Sequence, residues 1–305
     1  MAGRCTTLQV PGPAIPRAVW NLEGPRWEQL TAAAGKDEVM AADLFAREGW
    51  AALASRLGPG GAHDFAHRVA LLWVRPDAFA AGGARPVIAA AGDHGLRVLA
   101  ARPVRVDRAA VRALWAYMCR WATVERLWLL DAVAALGPGL LLLCADDRPV
   151  AGPEPAAVRM TAAKGSNDPR RRAGGRSLRD AGGALNRVLT MVHTADEPAD
   201  VVRELAVFFP WEQRGALIGE AAARLADGRP GRWEEQARAV EAELPVLPMP
   251  REVAAAPIPD PAVLGRGTLA QRWAALVAAS ASWPLLSERP GPISWPEQAT
   301  REPAR

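Results

Sequence analysis

Lysine is nearly missing from this 305-residue chain: Lys36 and Lys164 are the only two, so arginine carries the surplus behind a formal net charge of +4 and a pI near 9.5. That bias reads as a compositional habit, and no nucleic-acid partner is expected from it. Arginine does suit phosphate, because its planar fork meets two oxygens at once. Cysteine is scarce too. Cys5, Cys119 and Cys144 show no C-x-x-C spacing, which excludes a zinc ribbon or a disulfide framework and fits a reducing cytoplasm. Long apolar runs are absent: GLLLLCA at 139–145 is strand-sized, and the opening MAGRCTTLQVPGPAIPRAVW is broken by prolines before signal-peptide length. A soluble, cytoplasmic protein with no membrane partner is the expectation. The chain also lacks G-x-x-x-x-G-K-[ST], G-x-G-x-x-G and G-x-S-x-G, which removes the common phosphate loop, dinucleotide turn and hydrolase elbow. It contains no internal repeat.

What is present is half hydrophobic by count, much of it alanine, and long enough for one large domain with extensions. Residues 1–25 are rich in proline and glycine and read as loop. Met40, Leu44, Leu53 and Leu57 then fall at spacings that predict one buried helical face, ended by Gly58-Pro59-Gly60-Gly61. That glycine cluster predicts a boundary. From there strands and helices alternate: VALLWV at 69–74, a helix at about 84–93, a strand at 96–106, helices over 108–122 and 124–135, GLLLLCA, a helix in PEPAAVRMTAAKG, and an irregular loop at about 165–183. A strand ending at His193 and a helix from Pro198 to Phe209 complete the unit. The order predicts an α+β, ferredoxin-like split βαβ sandwich, with an antiparallel sheet covered by helices on one face. Three regions follow: an extension at 1–62, the sandwich at 63–210, and a helical, proline-rich extension at 211–305. Helices are expected over 211–243 and 268–280, with a semi-rigid linker at 244–263.

The stretch LTMVHTADEPADVVRELAVFF at 189–209 carries the chemistry. It places His193 at a strand end, Asp196 in the turn and Glu204 on the returning helix. An imidazole is nucleophilic near neutral pH, and a carboxylate on its second nitrogen fixes the tautomer and stabilises the charge that develops on attack. Arg75-Pro76-Asp77 follows the first strand, Gly95 opens the second, Gly137-Pro138 precedes the third, and Gly165-Ser166-Asn167-Asp168-Pro169 forms a turn upstream of Arg179.

Over about 69–210 this pattern resembles the nucleoside diphosphate kinase family. The resemblance implies that His193 is the nucleophile that becomes phosphorylated, that Glu204 orients it, and that Asp196 shapes the turn. It implies that Arg75 and Arg179 hold phosphates, with Asn167 and Thr190 also at substrate-contacting positions. Mg²⁺ with a nucleoside triphosphate would be the cofactor, and self-association into a homo-oligomer is implied in the same way. The chain departs from the family pattern at several places: Arg75 replaces a lysine, Asn167 a threonine, Thr190 a sugar-contacting asparagine, and Thr194 and Ala195 a glycine and a serine. A second phosphate-contacting arginine would fall near Thr161, with Arg159 out of register. The base-stacking aromatic has three candidates, Trp115, Trp121 and Trp128.

Other features have plain readings. Arg170, Arg171 and Arg172 belong to a solvated loop, and the tryptophans to core or interface. His63 and His67 share a metal-like spacing, but nothing nearby completes a ligand set, and they read as a helix end or loop. No protein-held metal is expected. The sequence thus predicts a phosphotransferase working through phospho-His193. The alternatives are a catalytically weakened nucleotide-binding or protein-interaction module whose extensions dock a partner, or an enzyme with a non-standard acceptor.

Overall fold

Continuous apolar runs make strands buried on both faces, and the two central strands are of this kind. The computed structural model describes residues 24–119, 122–147, 154–172, 175–248, 264 and 266–283. In it VALLWV forms β1 (Val69–Val74) and GLLLLCAD forms β3 (Gly139–Asp146). They pair antiparallel, Val69 opposite Ala145 and Val74 opposite Leu140. β2 (Leu96–Val104) flanks β3 and β4 (Val192–Thr194) flanks β1, giving the order β2-β3-β1-β4 with every neighbouring pair antiparallel.

The helices follow the chain as α1 (Lys36–Ala42), α2 (Leu44–Arg68), α3 (Pro76–Ala80), α4 (Ala84–Asp93), α5 (Arg108–Leu114) and α6 (Val124–Ala134). After β3 come α7 (Ala156–Lys164), the four-residue α8 (Leu178–Ala181), α9 (Pro198–Phe208), α10 (Trp211–Asp227), α11 (Glu234–Glu243) and α12 (Leu269–Ser282). This is the α+β, ferredoxin-like split βαβ sandwich. No helix among the described residues is long and apolar enough to cross a membrane.

Two expectations are corrected. Helices cover both faces of the sheet and not one. Ala70, Leu72 and Val74 of β1 point into a core with Val87, Val240 and Trp273, while Val69, Leu71 and Trp73 point into a second core with Phe65, Val202 and Leu217. Strand alternation divides the side chains, and α4 with α11 and α12 covers one core while α2, α9 and α10 cover the other. The glycine cluster, moreover, kinks α2 without ending it. Gly58 takes φ 72 and ψ 161, a conformation open to glycine. Pro59 then restarts the helix at a position where its missing N–H is not required. The helix therefore runs to Arg68, across residues 62 and 63. Of the four apolar markers Met40 and Leu53 are buried and Leu57 is half-buried, but Leu44, just after the Asp43 cap, is 62 % exposed. Most of the expected linker, residues 249–263, and most of the loop at 1–25 lie outside the described residues.

Candidate active site

Directly opposed residues on paired strands project to the same face. His193 lies opposite Trp73, whose side chain enters the core that α9 covers, so β4 turns the imidazole toward α9. There Nε2 lies 2.9 Å from both Oε1 and Oε2 of Glu204. The two side chains are 15 % and 7 % exposed. A neutral imidazole that donates Nε2–H to a carboxylate keeps its lone pair on Nδ1. Nδ1 has no hydrogen-bond partner among the described residues. Trp115 stands edge-on to the ring, with centroids 5.5 Å apart and planes at 89°.

The chain reaches β4 through a strained turn. Met191 has φ 65, the only positive value at a non-glycine among the described residues, and Val192 N donates to Thr190 O at 2.7 Å. Such a conformation costs about 1–3 kcal/mol and persists where surroundings over-determine it. Arg75-Pro76-Asp77 does so. Arg75 N donates to Met191 O at 2.9 Å, and Met191 N donates to Oδ2 of the fully buried Asp77 at 3.0 Å. The Arg75 guanidinium donates to Thr190 Oγ1 at 2.7 Å and Val188 O at 3.1 Å, with Nε 3.2 Å from Asp77. Burial pushes the Asp77 carboxyl above its ordinary pKa, against the pull of Arg75. The motif thus grips the segment that delivers His193.

The imidazole opens onto a cleft of about 390 Å³ whose walls include Arg75, Asn167, Arg179, Thr190 and Asp196. All the site residues expected from sequence therefore meet here, with Glu204 behind the ring. Arg179 Nη1 donates to Gly165 O at 2.6 Å, while its buried Nε finds no partner among the described residues. Burial, then the neighbouring charges of Arg75 and Arg172, push its pKa down to about 10. A side chain at Gly165 would meet Ser177 Cβ at 2.5 Å, so the carbonyl that holds Arg179 depends on a glycine of φ 80. Asp196 Oδ1 accepts from Lys164 Nζ at 2.9 Å and Thr161 Oγ1 at 3.1 Å. Desolvation raises the Asp196 carboxyl, but Lys164, with His193 and Thr161 adding to it, holds the pKa below the ordinary value.

Sequence reasoning missed Lys164, Arg126 and Arg187, which also line the cleft. Lys164 had a signal, being one of two lysines and the last residue before the Gly165 turn. Arg126 and Arg187 lie in no motif. The second arginine looked for near Thr161 is not there: Thr161 bonds Thr194 Oγ1 at 2.8 Å, and Arg159 is tied to Asp146 and to His94 O. Among the tryptophans, Trp115 lines the cleft, Trp128 packs on Trp283 with centroids 6.5 Å apart, and Trp121 lies outside the described residues. Arg172 is anchored by Asp180 and Ala184 O. His63 and His67 sit in the last turns of α2 with rings 4.6 Å apart. No group of three or more metal-ligating side chains occurs among the described residues.

No protein-family model and no curated protein matches the chain. Among solved structures, a nucleoside diphosphate kinase family protein from Babesia bovis is similar at 20 % identity and a TM-score of 0.38, over 48 % of this chain and 90 % of that one. A likeness that loose leaves the chemistry to be read from the side chains themselves.

Proposed function

We propose that the chain is a phosphotransferase of the nucleoside diphosphate kinase type, passing the γ-phosphoryl group of a nucleoside triphosphate through His193 to a nucleoside diphosphate or a related acceptor. One observation carries this. Both Glu204 oxygens lie 2.9 Å from Nε2, leaving Nδ1 as the nitrogen able to attack, in a cleft lined by Arg75, Arg126, Lys164, Arg179 and Arg187. Such a wall suits a phosphate chain, whose developing charge must be neutralised in a loose transition state.

In the first half-reaction the Nδ1 lone pair forms the N–P bond as the bond to the β-bridging oxygen breaks, and the diphosphate leaves with that electron pair. Glu204 stabilises the imidazolium through Nε2–H. In the second, a terminal phosphate oxygen of the acceptor forms the new P–O bond, and the N–P pair returns to Nδ1. Lys164 and Arg179 hold the transferring group in place throughout. Mg²⁺ usually takes one or two carboxylates and several phosphate oxygens, and the donor set fits that. Asp196 presents Oδ2 with no hydrogen bond to any described residue, and bound Mg²⁺ would supply further charge neutralisation. Homo-oligomerisation belongs to the same proposal and is read by sedimentation.

A specific observation favours a second reading, a nucleotide-binding or interaction module of reduced activity: the Arg75 guanidinium is engaged by Thr190, Val188 and Asp77. Incubation with γ-labelled ATP separates the two. Acid-labile label on the wild type, lost in His193→Ala, is expected. No label under any condition sinks the transfer mechanism and leaves binding.

A further inference from the structure

Positive charge around His193 mostly comes paired. Arg75 Nε is 3.2 Å from Asp77, Lys164 is 2.9 Å from Asp196, and Arg187 is 2.6 Å from Asp168. Arg179 and Arg126 differ. Among the described residues Arg179 holds only a carbonyl oxygen, and its buried Nε has no partner there. The Arg126 side chain makes no hydrogen bond or ion pair with any described residue, although it is half-buried in the cleft wall. Its place is unfavourable on two further counts. It is the third residue of α6, whose N-cap Thr123 accepts from Arg126 N at 3.2 Å, and a cation in a first turn opposes the helix dipole. Burial lowers its pKa, and the nearby charges of Arg75 and Arg187 lower it further, against an opposite pull from Cys119.

A guanidinium half-buried at the wrong helix end and among like charges works against folding, and such local conflict marks functional positions. An anion in the cleft that both line would relieve both unpaired groups. We propose that Arg126 is a second anion-gripping residue of the cleft, supplied from α6, which takes with Arg187 the far end of a ligand whose near phosphate lies at Arg179 and His193. The ligand is thereby a chain of two or more phosphates and not a phosphate monoester. This takes over, from α6, the work expected of an arginine near Thr161. The orientation of the ligand rests on the phosphotransferase reading, while the polyanion subsite does not.

The test uses the full chain, Arg126→Gln, and the exposed Arg238→Gln as control, with inorganic orthophosphate and tripolyphosphate as probes in calorimetry and thermal melts. Tripolyphosphate affinity should fall about 10-fold in Arg126→Gln, the size expected of one charge-assisted contact. Orthophosphate affinity should be unchanged, and Arg238→Gln should match the wild type for both probes. Unliganded Arg126→Gln should melt above the wild type, because repulsion is relieved. An unchanged tripolyphosphate affinity, or a lower unliganded melting temperature, overturns the assignment. Labelling of His193 gives a separate readout. Label that forms with the same ATP dependence in Arg126→Gln overturns the Arg126 role alone. Arg126-dependent tripolyphosphate binding without label on His193 supports the subsite and overturns the transfer reading.

Discussion

Glu204 decides which nitrogen of His193 is free, so the residue scale is where the chemistry can be tested most directly. Glu204→Gln keeps the shape but removes the charge that balances an imidazolium. A hydrogen bond to a charged group is worth roughly 1.5–3 kcal/mol, so His193 labelling should slow about 10- to 100-fold with folding retained. Equal single-turnover rates in the two proteins would remove Glu204 from the mechanism. Thr190→Val tests a different link. It leaves a buried Arg75 donor, now 2.7 Å from Thr190 Oγ1, without its acceptor. Urea unfolding should show a loss of about 1–3 kcal/mol, and unchanged stability would mean that water replaces the hydroxyl. His193, Asp196 and Glu204 were legible in the sequence because their spacing is local to one strand-turn-helix unit. Arg126 reaches the cleft from α6 outside any motif, and Lys164 of α7 pairs with Asp196, 32 residues further on, so that only its rarity and the Gly165 turn mark it in the sequence.

At the scale of elements, α9 depends on what holds its N-terminus. Glu197 and Asp200 form a capping box there, and Lys36 of α1 donates to Glu197 at 2.8 Å and to Asp200 at 2.6 Å. Burial first, against the pull of Lys36 and with the push of Glu204 and Asp196, raises Asp200 from 3.8 to about 6. The folded state therefore holds an extra proton between those values. The stability this confers is fully present below pH 3.8 and is lost as pH rises through about 6. The loss is at most roughly 3 kcal/mol. In Asp200→Asn that pH dependence disappears, so relative to the wild type the variant should gain up to this amount between pH 4 and pH 7.5. Urea titrations at both values measure it, and a difference in stability that does not change with pH excludes Asp200 as the titrating group. Most of the element order was legible, because VALLWV and GLLLLCA are too short and too apolar to be anything but buried strands once Pro76 and Gly137-Pro138 punctuate them. The end of α2 was not. Gly58 and Pro59 act as breakers only where nothing packs beyond them, and Ala62, Phe65 and Ala66 bury the helix past the kink. The strand before His193 also proved shorter than its apolar run, since Met191 leaves the extended conformation to make the turn that Asp77 holds.

For the whole molecule the question is whether the terminal helices are attachments or part of the fold. Each face of the sheet is completed by them: α2 brings Trp50, Leu53 and Phe65 to one core, and α11 and α12 bring Val240, Trp273 and Leu276 to the other. A fragment of residues 63–210 would cut α2 beyond its kink and expose the apolar side chains of β1 and β3 that those helices cover. It should show the signs of lost packing, with dye binding and a weak near-ultraviolet circular dichroism signal, whereas residues 24–283 should unfold in one cooperative transition. Trp273 gives the sharper test, because it lies 0 % exposed in α12, and its buried indole N–H has no partner among the described residues. Trp273→Ala empties that volume and should cost about 3–5 kcal/mol. Trp273→Phe keeps most of the apolar contact and removes an unsatisfied donor, so its cost should stay within about 1.5 kcal/mol. If α12 were merely attached, both substitutions would leave the main urea transition in place. A large loss for alanine with a small one for phenylalanine would mean that a helix more than 70 residues beyond His193 in sequence belongs to the same cooperative unit as the sheet presenting it.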